Sequence, residues 1–171
     1  MLTDHTEIKK WLAFHNINLL ACTISNDGVV DVASSAWIRI HTMDTLSVQF
    51  GLICGNFRII DGASVKSFHG FPWCVRGDMS LAGSRVYNLS GLHKVVHQVD
   101  GSFHANVEST HILGLLLIKG ITHFQFSTNT QVAMTQRIPL DAIMNKYRGT
   151  DDLISAQDEM IDAGYIEQAK L

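Results

Sequence analysis

The sequence predicts an α+β repeat. Its body is a β-solenoid of about 4–5 coils with a period of roughly 22 residues and parallel stacked strands, closed by an N-terminal helix and a C-terminal helical cap. Two observations carry this reading. The first is a motif of glycine, a polar residue and two apolar residues one apart: Gly55-Asn56-Phe57-Arg58-Ile59, Gly77-Asp78-Met79-Ser80-Leu81 and Gly101-Ser102-Phe103-His104-Ala105. A weaker copy, Ser35-Ala36-Trp37-Ile38, precedes them, and a degenerate one, His123-Phe124-Gln125-Phe126, follows. The anchors Ala36, Phe57, Met79, Phe103 and Phe124 are 21, 22, 24 and 21 residues apart. The second observation is an independent anchor set. Met43-x-x-Leu46, Val65-x-x-Phe68 and Val86-x-x-Leu89 are spaced by 22 and 21, with a shifted copy at Ile112–Leu116.

Charge supports the division of the chain. Charged residues are 17% of the 171, and the net charge is -3. Residues 29–137 carry six acids and eight bases, whereas residues 138–171 carry seven acids and three bases. A weakly charged middle suits stacked strands with one face buried, and charged ends suit amphipathic helices. The chain is expected to be one domain: residues 1–34 an N-terminal helix and hairpin, 35–130 the solenoid, 131–171 the C-terminal cap.

The elements follow in order. Thr3 or Asp4 caps a helix over about residues 4–15, with Ile8, Trp11 and Leu12 on its apolar face. Leu19–Ser25 and Val29–Val32 read as a hairpin around Asn26-Asp27-Gly28. In the body, apolar residues at alternate positions put one strand face inward, and a unit of this size buries its apolar side only by stacking on the next. Beyond it, Pro139 opens a helix with Ile138, Ala142, Ile143 and Tyr147 as its stripe, stopped by Gly149. Thr150 or Asp151 caps another, with Leu153, Ile154, Gln157 and Ile161 along it. Gly164 ends that helix, and Tyr165–Leu171 suggests a short third one.

The units Val65-Lys66-Ser67-Phe68-His69-Gly70-Phe71-Pro72 and Val75-Arg76-Gly77-Asp78-Met79 carry a resemblance. So do the lead-in Asn26–Val32, the first full turn Phe50–Phe57 and the closing Leu116–Ile121. Together these resemble the short leucine-rich-repeat-like proteins of tailed phages and prophages. Val65, Phe68, Phe71 and Val86 stand where that family usually has leucine, and asparagine is scarce at the turns. The resemblance implies a solenoid, a phage or bacterial source and a cytoplasmic location, and brings no catalytic residues with it.

A search for chemistry narrows the function. No G-x-S-x-G, P-loop or dinucleotide fingerprint occurs, and His93-Lys94 departs from the metalloprotease H-E-x-x-H. The nine histidines are expected at turns and on the surface, and no metal or other cofactor is expected. Cys22, Cys54 and Cys74 read as reduced, buried thiols. The N-terminus lacks the pattern of a secretory signal, and no stretch reaches membrane-spanning length. If Phe57 and Ile59 point inward, Trp37, Arg58, Ser80, His104 and Gln125 form one outward row, and Arg39, Ile60, Ala82, Asn106 and Ser127 the next. Trp37, Arg39, Arg58, Ile60, His104 and Asn106 are therefore the expected partner-binding residues, since Trp and Arg are favoured anchors at interfaces. The expected function is a non-catalytic interaction module that binds a host protein, with self-association as a second possibility. The alternatives are nucleic-acid binding through Arg39, Arg58, Lys66, Arg76, Arg85 and Lys94, and an enzyme with a histidine site. A net charge of only +2 over residues 29–137 disfavours the first of these.

Overall fold

A computed structural model describes residues 1–39, 45–60, 65–127 and 139–171. The chain is a β-solenoid of about four turns. Helix α1 (His5–Phe14) precedes a hairpin of β1 (Cys22–Ile24) and β2 (Val29–Val32). The coils then contribute β3 (Ala36–Arg39), β4 (Gln49–Ile53), β5 (Phe57–Ile60), β6 (Cys74–Val75), β7 (Met79–Ser80), β8 (Gln98–Val99), β9 (Ser102–Asn106) and β10 (His123–Ser127). Helices α2 (Leu140–Tyr147) and α3 (Leu153–Asp162) close the far end.

Each coil lays down two strands, so the solenoid has two sheets. The first runs β1-β2-β4-β6-β8 and the second β10-β9-β7-β5-β3. All neighbours pair parallel except the β1–β2 hairpin. The second sheet is the expected one, and its register stacks Ala36 on Phe57, Phe57 on Met79, Met79 on Phe103 and Phe103 on Phe124. Met43 of the second anchor set and Ile138 of the expected α2 stripe lie outside the described residues.

Between the two sheets each coil turns a corner, and the recurring glycine has its reason there. The Asn56 N–H donates to Ser35 Oγ at 3.0 Å, the Asp78 N–H to Asn56 Oδ1 at 2.9 Å, and the Ser102 N–H to Asp78 Oδ1 at 2.9 Å. This is a ladder of mixed side chains, each bonding the backbone of the next coil. A Cβ at Gly101 would stand 2.6 Å from Asp78 Oδ1 and 2.7 Å from the Gly77 backbone, and one at Gly77 would strike Asn56 Oδ1. Glycine is required because the rung below occupies the space.

The core lies between the sheets and under α1. Trp11, Phe50, Phe57 and Phe71 form a run of tilted and edge-to-face contacts with centroids 6.1, 6.1 and 5.5 Å apart. Helix α1 buries Ile8, Trp11 and Leu12, and the Asp4 carboxylate caps it by accepting from the Thr6 and Glu7 N–H groups. Gly28, at φ 78°, makes the hairpin turn.

Several expectations are corrected. Leu19–Ala21 is a 3₁₀ turn, which shortens the first hairpin strand to Cys22–Ile24. Cys54 is exposed because its side chain falls at the coil corner, outside the strand. Asp152, not Thr150 or Asp151, caps α3 by accepting from the Ser155 N–H. Ala142 is exposed, and α3 buries Ala156 and Met160 while leaving Ile154 74% exposed. The expected α3 stripe was rotated, because the helix packs through its small residue. Tyr165–Leu171 forms turns, not a helix, because the carbonyls of Glu167 and Gln168 accept from His111, Ile112 and Leu113 N–H groups.

Candidate functional site

The parallel register of the second sheet places Trp37, Arg58, Ser80, His104 and Gln125 in one row across its outward face. Trp37 is 55% exposed, and the Arg58 guanidinium lies over its ring, 5.9 Å from the centroid. Indole and cation thus hold one another at the surface. Arg39 and Ile60 begin the neighbouring row, Arg39 exposed and Ile60 half-buried. His104 is half-buried. Asn106 departs from the expectation: it is 1% exposed. Its Nδ2 donates to the Ser84 carbonyl at 2.9 Å, so its amide serves the turn of the preceding coil. Trp37, Arg58, Arg39 and Ile60 come together at one end of the face, His104 lies two strands further along, and Asn106 leaves it.

That end of the sheet opens into a cleft of about 520 Å³ lined by His15, Asn16, Ile17, Ser34, Ser35, Trp37, Arg39 and Ile60. Two further clefts occur at the C-terminal corner, around Ile118–Thr122 and Arg148–Asp151, and between the turns at Val65–His69 and Asn88–Val95. The first is the one that meets the outward row.

His15 is the residue the sequence reading missed, since histidines were expected at turns and on the surface. It is 5% exposed, packed 4.1 Å from the Trp11 ring and 5.1 Å from Phe14 by centroid. Its ring lies beside the Arg39 backbone, and the neighbouring Trp11 Nε1 is buried with no hydrogen-bond partner among the described residues. Burial pushes the His15 pKa below the ordinary histidine value, although the nearby Arg39 backbone favours the charged ring. The available signal was its place: four residues after Trp11, on the apolar side of α1.

The other titratable groups have structural work. Arg76 donates to Asp100 at 2.7 Å and Gln98 to the other carboxylate oxygen at 2.6 Å. Those bonds, the Gln98 one foremost, hold the Asp100 carboxyl below its usual range. Burial raises the Cys22 and Cys74 thiols. His93 packs on Gly114 of the next coil, where an added Cβ would stand 2.6 Å from its Nδ1, and His97 bonds the Lys94 carbonyl at 3.3 Å. No group of three or more His, Cys, Asp or Glu with metal-site geometry occurs among the described residues. No helix among them is long and apolar enough to cross a membrane.

Fold and site together define a capped β-solenoid with a Trp–Arg surface at its N-terminal end. The chain matches no protein-family model, and no curated protein or solved structure matches it.

Proposed function

We propose that this chain is a non-catalytic protein-interaction module that engages its partner through the outward face of the second sheet. The observation that carries the reading is the in-register row led by Trp37 and Arg58, with the indole exposed and the guanidinium seated over it. Trp and Arg anchors of this kind dominate the binding energy of many interfaces. The resemblance to short leucine-rich-repeat-like phage proteins directs the search to a bacterial host protein, met in the host cytoplasm. Inhibition of a host activity, or its redirection, is the role such a module serves.

The test is affinity capture from bacterial lysate with the wild-type chain and with a Trp37→Ala/Arg58→Glu double variant. A partner is expected with the first and is expected to be lost with the second. Retention of the same partner by the double variant rules out this face.

A further inference from the structure

The C-terminal cap has an inner and an outer side. On the inner side Asn145 of α2 closes β10: its Oδ1 accepts from the Phe124 N–H at 2.8 Å and its Nδ2 donates to the Phe124 carbonyl at 2.9 Å. Helix α3 packs inward through Ala156 and Met160, which are buried and four residues apart, on one face. Its outer side carries Ile154, 74% exposed, and Ile161, 45% exposed. Seven residues make about two helical turns, so the two isoleucines form one stripe about 10 Å long. Ile166, 60% exposed, stands in the turns that follow. Those turns are tied back to α3, where Gln157 Nε2 donates to the Ala169 carbonyl at 2.9 Å. The end unit of a solenoid ordinarily turns a polar surface outward. A single exposed apolar residue needs no explanation, but an apolar helical stripe on a cap does.

The charge around the stripe has one sign. Asp158 lies between the isoleucines and Asp162 follows Ile161; both are exposed, and neither side chain has an ion pair or hydrogen bond among the described residues. The cations of residues 139–171 are committed elsewhere: Lys146 to Glu159, Lys170 to Glu167 and Arg148 to the Ile121 carbonyl. A second copy of the chain is a poor occupant. Two identical α3 faces would set Asp158 and Asp162 against their own copies, and like charges across an interface are costly. The N-terminal end offers no basic counterpart either. Residues 1–28 hold the acids Asp4, Glu7 and Asp27 against Lys9 and Lys10, and Lys10 already pairs with Glu7.

We propose that the outer face of α3 is a second docking surface, which takes up a basic amphipathic helix of a partner protein. The apolar side of that helix would cover Ile154 and Ile161, and its lysines or arginines would meet Asp158 and Asp162. This surface lies at the far end of the solenoid from Trp37 and Arg58 and is independent of the sheet-face reading.

The probe is a fluorescein-labelled helical peptide of leucine and lysine, with the leucines at helical spacing on one side, titrated with the intact chain. Its controls are the leucine–glutamate counterpart and a leucine–lysine peptide of the same composition with the stripe scrambled. The striped lysine peptide is expected to bind at least about tenfold tighter than either control. Ile154→Ser/Ile161→Ser is expected to weaken it at least about tenfold, with Tm nearly unchanged because both side chains are exposed. Asp158→Asn/Asp162→Asn is expected to weaken it at least about threefold, and more at low salt than at high. If a variant fails to fold, the Ile154 and Ile161 methyl resonances of the wild type decide: they are expected to shift on binding, and methyls that do not move overturn the proposal. Equal affinity for the striped and scrambled lysine peptides also overturns it, since charge alone then attracts them. So does equal binding by the wild type and Ile154→Ser/Ile161→Ser. A wild-type dimer made monomeric by Ile154→Ser/Ile161→Ser overturns it as well, since the occupant is then a second copy. Trp37→Ala/Arg58→Glu is expected to bind the probe as the wild type does, and loss of the probe by that variant would move the site off α3.

Discussion

The two ends of the second sheet are built to different standards. At β10 the edge is paired by an amide that fits the backbone as a strand would, and the same Nδ2 donates to the Asp141 carbonyl at 2.8 Å. Beside it α2 and α3 are tied through Glu159, which accepts from Tyr147 at 2.8 Å and also pairs with Lys146. At β3 the strand meets a cleft, where the His15 ring is buried beside the Arg39 backbone and Trp11 Nε1 has no hydrogen-bond partner among the described residues. The C-terminal end closes the fold; the N-terminal end carries the exposed Trp37–Arg58 pair that is proposed as the binding surface.

The largest expected effect comes from opening the closed end. Asn145→Leu keeps the bulk but leaves the Phe124 N–H and carbonyl without partners. Each stranded group costs about 1–3 kcal/mol, so a loss on the order of 3 kcal/mol is expected in chemical denaturation. The variant should also associate with itself at high concentration, since β10 becomes an unpaired edge. Asn145→Asp, which keeps an acceptor for the Phe124 N–H, should lose less. Equal stability of Asn145→Leu and the wild type would show that α2 closes the sheet without its amide.

An intermediate effect is expected at the other end, with the opposite sign. Burial lowers the folded-state pKa of His15, so the fold favours the neutral ring. That contribution is fully present above the unfolded value of about 6.5 and is lost as pH falls through it toward the folded pKa. His15→Leu should remove this acid-side loss, giving a smaller drop in Tm between pH 7.5 and pH 5 than the wild type. At neutral pH it should cost little, because an apolar side chain of similar bulk replaces a ring that is already neutral and largely desolvated. Parallel pH slopes for the two proteins would remove His15 from the account.

What the sequence made legible divides along the same line. The body was readable because Ala36, Phe57, Met79, Phe103 and Phe124 repeat, and stacking turns a period into a register. The first sheet carries an equal signal: Val32, Ile53, Val75 and Val99 are also 21, 22 and 24 apart. The glycines were visible as corners, but their cause was not, since the crowding at Gly77 and Gly101 comes from the coil before. The caps were legible only as helices. Which face of α3 packs depends on how closely it approaches the last coil, and Ala156 permits an approach that Ile154 would not. In the site, Trp37 and Arg58 followed from alternation alone. Asn106 broke the pattern because its amide turns to Ser84, and His15 escaped because no periodicity marks a single buried ring.

The smallest expected effect separates binding from folding at the Trp–Arg pair. Arg58→Ala removes a guanidinium 5.9 Å from the Trp37 ring, on an exposed face. An exposed cation–π contact is worth about 0.5–1 kcal/mol, so stability should fall by no more than that, and the fall should shrink little with salt compared with that of an ion pair. Partner binding should fall much further, because an anchor at an interface is desolvated when the partner arrives. A loss of stability equal to the loss of binding would assign Arg58 to the fold, and the outward row would then be a structural feature of the second sheet. A tenfold or greater loss of binding with stability nearly unchanged would place Arg58 in the interface while leaving β3 and its neighbours intact.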